Sequence, residues 1–320
     1  MRKTGKIWLI VATVLLSVGL IVFGGAMTVL KWDFTKLSTV KYETHEYAFD
    51  GGYETIQIVT NTANVRILPS ETQKTTVVCN EQEKINHEVT VAKGMLRIEV
   101  KDTRKWYDYI GIGFGSPSIT VYVPAGEYGA LTVKSETGVI EIQKEFRFKS
   151  IDLSASTGFV ANYASAEGSV RISTSTGGIR VENVQVGKMD LSVSTGGITV
   201  DRVSCAGDVS IKVSTGRTHV NDLTCKNLIS NGSTGDLKLQ NVIASGRFSI
   251  ERSTGDVRLE GCDAGEIFIK ATTGDVTGTL LSEKSFYATA NTGEVDVPKH
   301  GNGGKCEIHT STGDIKIDIR

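Results

Sequence analysis

The chain has 320 residues, with 35 glycines against 4 prolines, and a formal net charge of -1. That length holds one large or two medium domains, and the glycine excess leans towards turn-rich β structure. The balanced charge, with no block of like charges, gives no reason to expect nucleic acid as a partner.

Residues 7–30 carry no charged side chain over 24 positions, enough for a helix to cross a hydrocarbon core of about 30 Å. Arg2, Lys3 and Lys6 precede this stretch, and Lys31 and Lys36 with Asp33 follow it. The bias keeps residues 1–6 cytoplasmic and places the remainder outside the cell in a single-pass layout. A cleavable signal peptide is the competing reading, with Gly24-Gly25-Ala26 as its small-residue site. Trp32 and Phe34 suit the outer interface, and residues 31–52 read as a linker without periodicity.

From residue 53 the chain alternates apolar and polar residues, as strands do. Ile56, Ile58, Val65 and Ile67 flank Asn61-Thr62-Ala63-Asn64, a degenerate first rung. The alternation continues through Thr76-Val78, Val89-Val91, Leu96-Ile98-Val100 and Ile119-Val121-Val123, with a turn at Ala92-Lys93-Gly94. Residues 53–130 are therefore expected to be irregular solenoid. The segment 101–116 interrupts it with Trp106, Tyr107, Tyr109 and Phe114 among glycines. These aromatics either plug the solenoid or form a binding loop for a ligand or lipid surface.

Over residues 131–320 a Ser-Thr-Gly triplet recurs ten times with small variations, its glycines separated by 19 or 20 residues. Such a period marks a repeat architecture. Apolar residues fall seven, five and three before each glycine and two and four after it, often again at seven after it, as in Met189, Leu191, Val193, Ile198, Val200 and Val203 around Gly196. Each rung offers two clear strands and a short third side, and only stacking buries them. The predicted fold is all-β: a right-handed parallel β-helix of 19–20-residue rungs behind one transmembrane helix.

The glycine supplies the bend between strands, since a positive φ costs a residue bearing Cβ more. Alternation predicts the preceding threonine inward, so that the pairs Thr176-Gly177, Thr195-Gly196, Thr215-Gly216 and Thr254-Gly255 build a threonine-lined corner. Asn162, Arg252 and Gly278 break the apolar pattern, and Ser230 and Gly232 make the rung before Gly235 the weakest. Cys205 and Cys225 lie nine residues after successive repeat glycines, which stacks them as free thiols, a disulfide or, least favoured, metal ligands.

In the last five repeats the residue after the glycine is acidic: Asp236, Asp256, Asp275, Glu294 and Asp314. Stacked in one column they are a weak calcium candidate, set against solvated turn acids beside Lys238, Arg258 and Lys316. The five histidines fall in unrelated rungs, and no nucleophile elbow, zinc-protease helix or phosphate loop occurs. The pattern points to no enzyme and no cofactor; a carbohydrate-active enzyme is a remote alternative. The last strand leaves an edge open to end-to-end self-association, discouraged by Asp314, Lys316, Asp318 and Arg320.

An apolar anchor followed by units such as SVSTGGITV (192–200) and ERSTGDVRLEG (251–261) resembles the bacterial putative-adhesin family of β-strand repeat proteins, from Ile56 to Arg320. The layout is also similar to envelope-stress accessory proteins of Gram-positive bacteria. The resemblance implies an adhesin-like binding or scaffolding module for cell-wall or host-surface ligands. A regulatory component contacting membrane proteins is the alternative it leaves open.

Overall fold

A computed structural model describes residues 3–109, 113, 115–299 and 301–320. The apolar amino-terminal stretch is a helix, Lys3–Val29, of which Gly5–Val29 is long and apolar enough to cross a membrane. Leu15, Leu16 and Ile21 stand exposed on it. The helix stops at Lys31 and Trp32, both left-handed, where the Trp32 amide donates to the Met27 carbonyl at 2.8 Å.

Beyond it the alternating segments form one continuous β-solenoid. Each regular rung has three faces, as the Gly216 rung shows: Val209, Ile211 and Val213 on the first, Thr218 and Val220 on the second, Leu223 and Cys225 on the third, all buried. Equivalent residues stack in parallel register, Val209 beside Met189 and Leu228, Val220 beside Val200 and Leu239. The core is thus a set of aliphatic columns. A buried Leu, Ile or Val contributes about 1.5–3 kcal/mol, so cohesion accumulates rung by rung.

The first corner behaves differently from the expectation for its threonines. Its ten glycines hold φ between +121° and +148°. A Cβ added there would lie 1.5–2.4 Å from a carbonyl oxygen of the adjacent rung, so glycine is required sterically as well as conformationally. All ten preceding threonines, however, are exposed. The ladder skips the residue before each of them, Thr174 pairing with Val193 and Thr176 with Thr195. Two successive side chains therefore point outward at the bend. The inward hydroxyls belong to the position three before the glycine, where Thr310 donates to the Gly274 carbonyl at 3.2 Å and Thr174 to that of Thr176 at 3.3 Å.

Two further corners complete the triangle. Six residues after the glycine, Asn183, Arg202, Asp222 and Asn241 adopt φ of +50° to +57°. Asn and Asp tolerate this conformation because their short side chains bond locally, and here they bond between rungs: Arg202 Nε donates to Asn183 Oδ1 at 2.7 Å and Asn241 Nδ2 to Asp222 Oδ1 at 2.9 Å. At the third corner the rungs approach closely through Gly187, Gly207, Gly246 and Gly265. A Cβ on any of them would stand 2.4–2.9 Å from a backbone oxygen of the preceding rung, which for Gly265 is the carbonyl of Gly246.

The rungs do not stack in chain order at either end. Strand Lys305–Thr312 pairs with residues 267–273 on one side and with Ser285–Thr292 on the other, so it lies between two strands that precede it in sequence. Ile315–Ile319 likewise pairs with both Val276–Leu280 and Val295–Asp296. The chain runs to the outermost rung and returns to fill the gap beneath it. Gly303 and Gly304 thread this return, their missing Cβ positions 1.6 Å from the Glu283 carbonyl and 1.8 Å from that of Gly265. The exposed edge is therefore Ser285–Thr292 and Val295–Asp296, and the expectation that the last strand forms it is corrected.

The amino-terminal end repeats the device. Thr55–Thr62 and Asn64–Pro69, the first rung in sequence, lie between Met95–Asp102 and Ser118–Val123 on the outside and the Gly138 rung on the inside. Antiparallel strands cover it. Tyr42–Phe49 pairs with Thr75–Gln82, which pairs with Ser118–Val123, while Ile85–Ala92 and Met95–Asp102 form a hairpin turning at Lys93 and Gly94. Two expectations change accordingly: the stretch 31–52 contains a strand, and within residues 75–102 the strands Thr75–Gln82 and Ile85–Ala92 form an antiparallel cap, while Met95–Asp102 stacks in parallel on Thr55–Thr62 as an outer rung. The inward side of Thr75–Gln82 is Thr75, Val77, Cys79 and Glu81, the phase opposite to a reading through Thr76 and Val78.

Candidate functional site

The acidic column is built, and its chemistry is visible. Asp236 Oδ1 accepts from the Asp256 amide (3.2 Å), Asp256 from Asp275 (2.9 Å), Asp275 from Asp314 (2.8 Å) and Asp314 from Glu294 (2.8 Å). Each of the four aspartates thus occupies a bend amide of the neighbouring rung, and the order restates the exchanged stacking at the end. Asn64 does the same for Val139 at 2.9 Å. Replacing Asp275 by Ala is expected to cost about 0.5–1 kcal/mol, whereas Asn, which keeps the acceptor and removes one of several like charges, is expected to be neutral or slightly stabilising. Thermal unfolding of the two variants checks the contrast.

Trp106 and Tyr107 of the aromatic segment do not plug the solenoid. Trp106 is 78% and Tyr107 49% exposed. They lie on a single 3-10 turn, Trp106–Tyr109, pinned by the Lys84–Asp108 ion pair at 2.5 Å, with Lys84 and Lys105 each 6.0 Å from the Tyr107 ring centre. Phe114 lies outside the described residues, as does the Tyr109 side chain.

The electrostatic anomaly of the regular solenoid is Arg252. It occupies an inward position opposite Gly232 and is 3% exposed. Its guanidinium fills the hollow left by that glycine, so an ideal Cβ on Gly232 would stand 2.2 Å from Nη1. Nη2 donates to Ser230 Oγ at 2.9 Å and Nη1 to the Glu251 carbonyl at 3.2 Å, while Nε has no partner. Among the described residues no carboxylate forms an ion pair with it. Burial pulls its pKa down to about 10, which still leaves it charged at neutral pH.

Above it lies a groove of about 420 Å³ crossing four rungs, with Lys212, Asn231, Ser233, Ser253 and Lys270 in its walls. Two lysines and several hydroxyl or amide donors line it against one acid, Glu251, with the buried Arg252 beneath. This is the chemistry of a site for a carboxylate, phosphate or sulfate group. The inward position of Arg252 and the gap that Ser230 and Gly232 leave in the neighbouring rung are legible in the sequence; its lack of a counter-charge is not.

The histidines are less scattered than their spacing suggests. His45 and His87 both meet Glu81, through Nδ1 contacts of 2.9 and 2.6 Å. All five cysteines are free and buried, Cys205 and Cys225 among them, so the stacked pair is a pair of thiols. Burial pushes Cys79, Cys225 and Cys306 up to about 12, which keeps each thiol protonated at neutral pH unless a cation joins it.

Solved structures share the fold. A putative lipid binding protein from Parabacteroides distasonis ATCC 8503 is similar at 17% identity and TM-score 0.53, over 75% of this chain and 98% of that one. A putative adhesin from the same organism is similar at 14% identity and TM-score 0.50, over the same shares. No curated protein matches. The family pattern Toastrack DUF4097 matches twice, over residues 53–216 and 206–320. The chain therefore belongs to the Toastrack DUF4097 family.

Proposed function

We propose that this chain is a non-enzymatic surface module, tethered by the helix Lys3–Val29, whose solenoid binds an anionic group in the groove over Arg252. The observation that carries the reading is a buried guanidinium without a counter-charge beneath a groove flanked by two lysines. A desolvated charge of this kind costs several kcal/mol unless an opposite charge joins it. An anionic ligand would supply that partner. The adhesin name carried by a Parabacteroides structure of the same fold agrees with a binding role.

The full chain in detergent micelles is expected to be retained on polyphosphate or polygalacturonate, to release as salt rises, and to ignore neutral dextran. Arg252→Met should abolish retention. Equal retention of wild type and variant would overturn the groove as the site.

The charges around the helix support an external solenoid. All native thiols are buried, so a cysteine introduced at exposed Lys41 gives a clean report. Lys41→Cys is expected to react with a membrane-impermeant maleimide on intact cells while wild type does not; labelling only after lysis would reverse the orientation.

A further inference from the structure

Under the antiparallel cap, far from the Arg252 groove in the chain, Glu81 and its neighbours form a buried cluster that neither the fold nor the anion groove uses. Cys79 is 0%, Glu81 1% and His87 3% exposed. One ligand atom from each, the thiol sulfur, a carboxylate oxygen and an imidazole nitrogen, lies within 4.8 Å of the other two. The strands explain the meeting. Cys79 and Glu81 share the inward side of Thr75–Gln82, the next strand begins at Ile85 and returns His87, and His45 is the register partner of Cys79.

We propose that Cys79, Glu81 and His87 bind a divalent ion of the zinc class, with His45 beside the fourth position. Sulfur, imidazole and carboxylate together select zinc over calcium or magnesium, which take oxygen donors. Bonds of about 2.0–2.3 Å put tetrahedral ligand atoms about 3.3–3.8 Å apart, so the separations already present need to change by about an ångström.

Without metal, Glu81 accepts from the His87 amide at 2.7 Å and contacts the two rings through His87 Nδ1 and His45 Nδ1. The Thr60 hydroxyl sits 2.9 Å from His87 Nε2. A hydroxyl donates or accepts, so it serves both states. It donates to Nε2 while Nδ1 carries the proton, and accepts from Nε2–H once Nδ1 turns to metal, the outer hydrogen bond that a ligating histidine needs. The charge also balances. The dication enters and the thiol proton leaves to solvent, so thiolate and carboxylate together neutralise the ion. A pocket of about 110 Å³ lined by Thr60, Thr62, Gln82, His87 and Arg104 gives a way in.

Cobalt titration of the metal-stripped full chain in detergent tests the site. One equivalent is expected to give a thiolate-to-cobalt charge-transfer band that zinc abolishes. Cys79→Ser should remove the band, Cys306→Ser should leave it, and Thr60→Val should weaken affinity about 10–100-fold. No band in wild type, or a band surviving in Cys79→Ser, overturns the proposal. Should Cys79→Ser fail to fold, Thr60→Val decides, since unchanged affinity in that variant also overturns it.

Discussion

Deleting residues 301–320 will unfold more than the deleted rung. In a solenoid stacked in chain order, losing the last 20 residues shortens the rod by one unit and leaves the penultimate rung as a new end. Here the lost strands lie inside, so the deletion removes Cys306, Ile308, Ile315 and Ile317 from the core and separates Ser285–Thr292 from its pairing partner. At about 1.5–3 kcal/mol per buried aliphatic side chain the loss approaches the whole 5–15 kcal/mol of a typical domain. Limited proteolysis is expected to cut residues 281–300 in the truncated chain while residues 131–260 stay protected. Continued protection of 285–296 would sink the exchanged order.

A crosslink gives the same answer without truncation. Thr273 and Thr312 are register partners at the exposed corner, so Thr273→Cys/Thr312→Cys should form a disulfide. Thr273→Cys/Thr292→Cys should not, because two rung spacings of about 4.8 Å exceed the reach of the bond. The exchange also bears on stability at the ends, which are the weak points of a repeat array. The last two strands in sequence are each held between two neighbours, and fraying must begin in a rung that the chain enters and leaves.

What the sequence disclosed and withheld follows from the physics of spacing. A bend that only glycine can make leaves a mark every 19 or 20 residues, and alternation around it reveals which side chains are inside. The same alternation misplaces the threonines, because it fails where the strand bends and two neighbours point outward. Stacking order leaves no trace in a period, since every rung fits every other. Composition nevertheless carried a hint: Ala288 and Ala290 are small and half-buried where the final repeat offers Ile308 and Thr310, both buried. The weaker apolar set belongs to the outer rung. The Glu81 cluster was hidden by phase, a shift of one residue in Thr75–Gln82 exchanging the inward and outward sets. The Arg252 groove was half legible: Gly232 and Arg252 stand out as misfits, but only their register shows that one fills the space of the other.

That pairing leads to an expected result of opposite sign for stability and binding. Arg252→Met keeps an unbranched chain of similar length in the hollow beside Gly232 and removes a buried charge. It also strands the Ser230 hydroxyl, which the guanidinium now satisfies, at a cost of about 1–3 kcal/mol. The informative variant is therefore the pair Ser230→Ala/Arg252→Met, in which neither a charge nor a hydroxyl is left alone. Replacement of buried ionic groups by well-packed apolar ones is neutral or stabilising by about 1–4 kcal/mol, so the double variant is expected to unfold at higher denaturant than wild type. Near neutral pH the gain should not vary, because a guanidinium with a pKa lowered to about 10 stays protonated there. As pH rises through that value the folded wild-type chain releases its proton before the unfolded chain does, and its stability should climb towards that of the variant. Retention on polyphosphate should meanwhile disappear. A destabilised double variant would mean that the arginine is a structural filler for the Gly232 hollow. A stabilised variant that has lost anion binding would mean that the charge is kept, against the interest of the core, for what it holds at the surface.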